Sequence, residues 1–446
     1  MPGEKDAAAE GAADDCRFGL LGRKLGHSWS PQIHEQLGSA PYALWEREPD
    51  EVEGFIHGGS WQGLNVTIPY KAEAARLADE RTTRVERLGV ANTLVRRADG
   101  SILAENTDVL GFAWMLRRFC ERRLGGPASE VLGGREALVL GSGGASQAVV
   151  AALEDEGAYV TVVSRSGKPK VATGGAAVSH DTYDGLAERH PHAVLVVNAT
   201  PVGMYPNCPA SPLSEEQLAA LGELRGVLDV VYNPCRTGIC LAAERLGLPS
   251  ESGLAMLVAQ AFFASELFQG RTLDDTVVGR IESQLHAETA NVILIGMPGA
   301  GKTSCGKKLA RLLGRPFVDL DSALEADCGR SAARIIREDG EKAFRAEETR
   351  IAGMYGMRSG LVIACGGGVV TQPENYGLLH QNGTIVFLDR PLSELSASGR
   401  PVSQARGVER LAAERMGLYR SWADVTLTCT GSADGDAEEV RRLLGL

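Results

Sequence analysis

The sequence predicts an α/β protein with two nucleotide-binding halves, each built on a parallel sheet covered by helices. Two glycine loops and a regular strand–helix alternation predict it. Gly141-Ser142-Gly143-Gly144-Ala145-Ser146 follows the apolar run Ala137-Leu138-Val139-Leu140 and opens a helix-like stretch. Gly296-Met297-Pro298-Gly299-Ala300-Gly301-Lys302-Thr303 follows Asn291-Val292-Ile293-Leu294-Ile295 and opens another. In that context the first turn suits a dinucleotide, and the second, a complete GxxxxGK[ST], suits a nucleoside triphosphate. The pair points to redox chemistry in one half and phosphoryl transfer in the other.

The alternation runs the length of the chain. Strand-like runs at 18–21, 63–67 and 91–95 alternate with helix-like ones. They predict a first lobe over 17–107, completed by C-terminal helices at 253–288. From Glu136 the pattern is cleaner: a strand at 137–140, a helix through Ala158, then strands at 159–163, 193–197 and 227–231. That regularity predicts a parallel sheet in a Rossmann-like lobe over 108–252. A polar helix-compatible stretch then leads into strands at 292–295, 317–319, 361–364, 384–388 and 425–428, which define a P-loop α/β/α domain over 289–446.

At 446 residues the chain exceeds one compact core. Its 44% hydrophobic and 23% charged residues are those of a water-soluble fold. A net charge of -11 argues against nucleic-acid or anionic-membrane partners, so anionic substrates need local Arg and Lys residues. The nine cysteines form no CxxC pair, which favours reduced thiols and a cytoplasmic location over disulfides or a zinc site. Residues 1–16, rich in Ala, Gly, Asp and Glu, read as a disordered tail without the features of a signal peptide. No apolar run approaches the ~20 residues of a membrane span.

In the first half, Gly141 permits the tight turn and Gly143 lets the backbone approach a pyrophosphate. Ser142, Gly144 and Ala145 present N–H groups at the start of the helix. An NAD site usually carries an acidic residue about 20 positions on. Here Ser164, Arg165, Ser166 and Lys168 stand instead, which suits the 2′-phosphate of NADP(H).

The polar motifs around this loop follow a specific order. They are His27-Ser28-Trp29-Ser30-Pro31, Asn65-Val66-Thr67-Ile68-Pro69-Tyr70-Lys71, Ala91-Asn92-Thr93-Leu94 and Asn106-Thr107-Asp108. Val197-Asn198-Ala199-Thr200, Asp229-Val230-Val231-Tyr232 and the run from Gly253 to Gln260 come later. Over about 17–288 this resembles shikimate dehydrogenase. On their own chemistry these residues suit a carboxylated polyol. Ser28 and Ser30 can donate to a carboxylate, Thr67, Asn92 and Gln260 can bond ring hydroxyls, and Lys71 with Asp108 forms a pair suited to moving a proton beside a hydride. The resemblance implies the same roles, with 3-dehydroshikimate reduced to shikimate, Tyr232 on the substrate, and Gly253 and Met256 on the cofactor. Protonated Lys71 would polarise the ketone and Asp108 would hold it, in a coupled titration; which is the formal acid stays open. Taken alone, Lys71 reads as a surface lysine at a helix start and Asp108 as an N-cap. Two departures bear on NADP: Pro169 follows Lys168 where a further Arg is common, and Ser164 replaces a common Asn.

In the second half the loop backbone forms a phosphate nest with Gly299, Ala300, Gly301 and Ser304. Lys302 reaches the transferring group, and Thr303 offers a hydroxyl to Mg²⁺. Asp319-Leu320-Asp321 follows at a strand end, where it either serves metal water and a substrate hydroxyl or caps a helix. Gly340 to Arg345, Gly366-Gly367-Gly368, Arg400-Pro401 and Leu418-Tyr419-Arg420 complete an order that resembles shikimate kinase over about 290–446. The resemblance implies that Asp321 activates the substrate hydroxyl and Asp319 supports Mg²⁺ through water. Arg345 and Arg420 would clamp the carboxylate, the three glycines would let the backbone approach the ring, and Arg400 would cover ATP from a lid. Between Arg390 and Arg400 there is no basic residue where related kinases often place an Arg against adenine.

These readings converge on two consecutive steps of aromatic amino-acid biosynthesis using NADP(H), ATP and Mg²⁺, with 3-dehydroshikimate and shikimate as small-molecule partners; they admit a homodimer. Two alternatives stay open: a quinate-preferring dehydrogenase joined to a small-polyol kinase, and a ligand sensor built from inactive copies of both domains.

Overall fold

The computed structural model describes residues 16–26, 28–169, 178–395 and 407–446. Residues 1–15, His27 and Arg400, the last expected over the phosphates, lie outside the described residues. The chain divides into two compact units. The first comprises Met1–Pro201, Pro212–Tyr232 and Ala242–Ser283; the second comprises Val202–Ser211, Asn233–Leu241 and Gln284–Leu446.

The first unit contains two sheets. One joins β1 (Phe18–Gly22), β2 (Tyr42–Glu46), β3 (Gly63–Val66), β4 (Glu80–Arg81), β5 (Thr93–Arg96) and β6 (Ile102–Glu105) in the order β2-β1-β3-β5-β6-β4. It is mixed rather than wholly parallel: β3, β5 and β6 pair antiparallel, while β1 pairs parallel with β2 and β3. The β5–β6 hairpin needs only a short connection, which a parallel pair could not use. The expected strand at 91–95 starts later, at Thr93, because Asn92 turns its N–H to the Glu105 carbonyl (3.2 Å).

The second sheet joins β7 (Glu136–Leu140), β8 (Tyr159–Val163), β9 (Ser179–Asp181), β10 (Ala193–Asn198), β11 (Gly226–Asp229) and β12 (Ser250–Glu251). Its order is β12-β11-β10-β7-β8-β9, with every pairing parallel. Counted from β7 this is the 3-2-1-4-5-6 doubly wound order, whose ligand crevice lies at the carboxyl ends of the first and fourth strands. The helix after β7 ends at Asp155, short of Ala158, because Gly157 turns the chain at φ 80°. Strand β11 stops at Asp229, whose carboxylate accepts from Val231 N (2.8 Å) and from Asn198 Nδ2 (2.9 Å).

Helix Leu254–Gln269 is apolar on all sides because it is packed on all sides. It crosses helix Thr107–Phe119 at Gly111, where an added Cβ would stand 2.8 Å from Gln260 Cβ and from the Met256 carbonyl. This close crossing brings Asp108 and Gln260 to one place.

The second unit holds β13 (Asn291–Ile295), β14 (Phe317–Asp319), β15 (Val362–Ala364), β16 (Gly383–Asp389) and β17 (Val425–Thr428). They form a five-stranded sheet in the order β14-β15-β13-β16-β17, parallel throughout. The glycine loop leaves the C-terminal end of β13, between β15 and β16, again at the point where the strand order reverses. No helix among the described residues is long and apolar enough to cross a membrane.

Candidate active sites

In the first unit a cavity of about 240 Å³ gathers Ser28, Ser30, Thr67, Lys71, Asn92, Asp108, Tyr232, Gly253, Met256 and Gln260. Lys71 begins helix Lys71–Leu77, where the dipole opposes a cation. Asp108 offsets this: its Oδ2 lies 2.5 Å from Lys71 Nζ. Asp108 itself sits in the first turn of helix Thr107–Phe119, where the dipole favours a carboxylate. It is not the N-cap; Asn106 is, accepting from Val109 N at 3.3 Å. Asp108 is therefore free to face the cavity.

Asn92 fixes the far side of the pair. Its Nδ2 donates to Asp108 Oδ1 (2.9 Å) and to Thr107 Oγ1 (3.0 Å), while its Oδ1 accepts from Thr107 N (2.7 Å). Ser28 donates to Ser30 across 3.1 Å, and Ser30 opens helix Ser30–Leu37. The Trp29 ring tilts against Tyr232, centroids 5.2 Å apart, and burial raises the Tyr232 phenol pKa. Asn65 also lines the cavity, a position beyond those expected from the motifs. It stands two residues before Thr67, and its Oδ1 accepts from Tyr42 Oη (2.7 Å). Gly253 and Met256, expected on the cofactor, line this same cavity beside Lys71.

The dinucleotide loop sits at the switch point of the second sheet. Gly141 has φ 105°, and a Cβ there would stand 2.7 Å from Thr200 Cγ2. A Cβ on Gly143 or Gly144 would meet nothing within 4 Å, so those glycines leave the helix start open to a ligand. Gly141 N donates to Val163 O (2.7 Å), which sets the loop beside the end of β8, where Arg165, Ser166 and Lys168 are exposed. Ser164 is buried instead, and its Oγ accepts from Gly167 N (3.1 Å), shaping the turn that presents Arg165. These groups fit a 2′-phosphorylated dinucleotide in charge and in placement.

In the second unit a larger cavity, about 690 Å³, is lined by Gly299, Gly301, Lys302, Thr303, Ser304, Asp319, Asp321, Arg345 and Gly366, Gly367 and Gly368. Ala300 is fully buried and outside the lining, so only its backbone can serve a nucleotide. Lys302 Nζ donates to the carbonyls of Gly296 (2.8 Å) and Met297 (3.0 Å), folded into its own loop. Thr303 Oγ1 donates to Asp319 Oδ2 (2.7 Å). Two oxygen donors this close suit Mg²⁺, which binds through one or two carboxylates plus phosphates and keeps several waters. Asp319 also caps helix Leu320–Cys328, its Oδ1 accepting from Ser322 N (3.2 Å), and the cap leaves its other oxygen beside Thr303. Asp321 lies in the first turn of that helix and faces the cavity.

Each glycine of the triplet makes room for a protein group. A Cβ on Gly366 would stand 2.8 Å from both Asp321 Oδ1 and Glu348 Oε1; on Gly367 it would press on Pro298, and on Gly368 on the Arg345 guanidinium. Arg345 pairs with Glu348 at 2.5 Å, one helical turn away. Burial raises the Glu348 carboxyl pKa against the opposing pull of Arg345.

Arg420 is not part of this cavity. Its side chain is 64% exposed, with the guanidinium 4.0 Å from Asp389. Arg415 lines the cavity instead: it is 3% exposed and donates from Nη1 to the Gly367 carbonyl at 2.9 Å. Tyr419 donates its hydroxyl to the same carbonyl, and burial pushes its pKa up to about 12. Arg415 and Tyr419 are four residues apart and share a helix face; Arg420 follows one position later and points elsewhere. Arg415 and Glu348 line the cavity without standing in any of the motifs, and their helical spacing from Tyr419 and Arg345 is the signal that marks them.

Fold and cavities together define a two-lobed dinucleotide-dependent dehydrogenase in one unit and a P-loop phosphotransferase in the other. The shikimate dehydrogenase substrate binding domain family matches residues 20–94, and the shikimate kinase family matches residues 298–444. Over 278 residues the chain is 33% identical to a shikimate dehydrogenase (NADP(+)) of Clostridium perfringens, which covers 60% of this chain and 97% of that relative. A chorismate mutase/shikimate 5-dehydrogenase fusion protein from Clostridium acetobutylicum matches with a TM-score of 0.55 and 32% identity, over 60% of this chain and 97% of that one. A shikimate 5-dehydrogenase from Thermus thermophilus, in complex with NADP(H) and shikimate, matches with a TM-score of 0.51 and 31% identity, over 60% of this chain and 98% of that one. The chain belongs to the shikimate dehydrogenase family, and its C-terminal part is a shikimate kinase domain.

Proposed function

We propose that this chain carries out two consecutive steps of the shikimate pathway. The first unit reduces 3-dehydroshikimate to shikimate with NADPH, and the second phosphorylates shikimate to shikimate 3-phosphate with ATP. The observation that carries this reading is that both cavities offer the same recognition chemistry. Each pairs cationic or hydroxyl donors for a carboxylate with an acidic residue beside the reacting group, Asp108 on Lys71 in one and Asp321 in the other.

In the reductase cavity Ser28 and Ser30 receive the carboxylate, while Thr67, Asn92 and Gln260 orient the ring hydroxyls, with Tyr232 closing one side. Arg165, Ser166 and Lys168 would hold the 2′-phosphate of NADPH, which would supply the hydride when bound. Lys71 polarises the ketone and delivers the proton to the oxygen that becomes the new hydroxyl. Asp108, 2.5 Å away, keeps the ammonium in place through the transfer.

In the kinase cavity Asp321 accepts the proton of that hydroxyl. Arg345 and Arg415 hold the carboxylate, and Glu348 fixes Arg345 in turn. Lys302 leaves its loop carbonyls for the transferring phosphoryl group, and Thr303 with Asp319 would hold Mg²⁺, which neutralises phosphate charge. Arg400 is assigned to the phosphates through its place in the motif order.

The quinate and sensor alternatives are less favoured: relatives at 31–36% identity are NADP(+)-dependent shikimate dehydrogenases, whereas a matching quinate dehydrogenase from Corynebacterium glutamicum is 29% identical, and Lys71, Asp108, Lys302 and Asp321 are all present in the two cavities. A homodimer is compatible with this reading. No disulfide forms among the described residues, which agrees with a cytoplasmic location.

The test is a two-signal assay of the full chain, following NADPH oxidation with 3-dehydroshikimate and then ADP formation. Lys71→Ala is expected to lose the first signal while ADP still forms from added shikimate; Lys302→Ala loses the second alone. ADP formation that survives Lys302→Ala would remove the kinase assignment.

A further inference from the structure

We propose that Arg390 and Asp436 form a positioning pair for the phosphate loop, holding its backbone in the nucleotide-binding conformation although neither side chain lines the cavity. The proposal rests on the reading that the second unit binds a nucleoside triphosphate.

The loop needs such a support. Gly299 and Gly301 both adopt left-handed backbone, φ 93° and 96°. Glycine crosses between such conformations at little cost, so the peptide at Ala300, lying between them, is easily turned over. Its orientation matters. In a trans peptide the carbonyl and the following N–H point opposite ways. Anchoring the Ala300 carbonyl on the protein side therefore turns the Gly301 N–H toward the cavity that Gly301 lines.

Arg390 supplies that anchor. It follows β16 directly, and its Nε donates to the Ala300 carbonyl at 3.1 Å. Cys429 Sγ lies 3.9 Å from the same oxygen, a weaker second contact. The guanidinium is held in turn: Nη2 meets Asp436 Oδ2 at 3.2 Å, and Nη1 lies 3.5 Å from Glu394 Oε2. Asp436 is 1% exposed, and its other oxygen accepts from Thr430 N (2.6 Å) and Thr430 Oγ1 (2.9 Å). It sits in the first turn of helix Ala433–Leu444, where the dipole favours its charge. The charge of Arg390 also acts directly, since Nη2 is 3.6 Å from where a Gly301 Cβ would stand, close behind the phosphate nest. A lysine at 390 keeps the charge but lacks the fork that spans Ala300 and Asp436 together.

The experiment titrates Mg·ATP into the full chain by calorimetry for wild type, Arg390→Gln, Arg390→Lys and Asp436→Asn. KM for shikimate at saturating ATP and NADPH oxidation are measured on the same preparations. Arg390→Gln and Asp436→Asn are expected to weaken ATP binding about tenfold, the scale of one charge-assisted bond. Arg390→Lys is expected to fall between, with KM for shikimate and NADPH oxidation unchanged in all three. Unchanged ATP affinity in the folded variants overturns the proposal, and so does an equal rise in both substrates' constants, which marks general loosening. If Arg390→Gln melts the unit, Arg390→Lys decides by the same two criteria. A wild type that binds no Mg·ATP overturns the nucleotide reading itself, a separate failure.

Discussion

Replacing Arg415 by alanine separates the tertiary placement of the second carboxylate-binding arginine from the one that the motif Leu418-Tyr419-Arg420 suggests. Arg415 is nearly inaccessible to solvent, bonds the Gly367 carbonyl at 2.9 Å, and has an Nε with no partner among the described residues. A charge-assisted bond to substrate is worth about 1.5–3 kcal/mol in such a setting. The Gly367 carbonyl keeps Tyr419 as a donor, so its own loss adds little. The expected total is about 3 kcal/mol, which is roughly a hundredfold in kcat/KM for shikimate. Arg420 lies 4.0 Å from Asp389 on the surface. Exposed pairs of that kind are worth about 0–1 kcal/mol, so Arg420→Ala is expected to change kcat/KM by less than about fivefold. The assay is ADP formation at varied shikimate, with NADPH oxidation by the same chain as the internal control for folding. If Arg420→Ala loses as much as Arg415→Ala, or Arg415→Ala keeps wild-type kcat/KM, the assignment is refuted.

Gly366→Ala is expected to lower kinase turnover by about a hundredfold, because its Cβ would stand 2.8 Å from Asp321 Oδ1 and displace the proton acceptor. Saturating shikimate should not restore the rate, and full restoration would place the defect in binding instead. A pH effect is expected from His34, which is 1% exposed and whose pKa burial lowers from 6.5 to about 3. In the unfolded chain this imidazole takes up a proton below about 6.5, while the folded chain resists until about 3. Stability is thus lost as pH falls through that window, by about 1.4 kcal/mol per unit, or about 2 kcal/mol between pH 6.5 and 5. His34→Phe keeps the stack on Tyr42, 4.1 Å between centroids, and removes the titration. Urea unfolding read by dehydrogenase activity at pH 7 and pH 5 should show a smaller loss for the variant; equal losses would refute the assignment.

Local chemistry made much of the protein legible. A loop that must cradle phosphates needs glycine at set positions, and a strand before it and helix after it leave short-range patterns that survive in one dimension. Both nucleotide loops, the strands that carry them and the groups Lys71, Asp108, Lys302 and Asp321 were readable for that reason. The mixed first sheet was less so. Strands β2 and β6 are short and partly polar, β2 pairs with β1 across an intervening helix, and β6 pairs on its second side with the distant two-residue strand β4. Asn65 belongs to a legible motif, but its place in the site depends on which face β3 turns to the cavity.

Arg415 and Arg420 show where sequence stops. Five residues apart on one helix, they point about 140° away from each other. Nothing local says which of them meets a substrate. The packing of Leu411, Ala412, Tyr419 and Trp422 into the core sets the rotation of helix Val408–Trp422, and that rotation turns Arg415 to Gly367 and Arg420 to solvent. The same holds for Gly366, whose neighbours Asp321 and Glu348 come from two other helices. The order of residues thus decided which nucleotides and which class of substrate each half can take, because those needs are met by contiguous backbone. Which side chains close on the substrate was decided by helix rotation and long-range packing, because a side chain's direction is a property of everything its helix rests against.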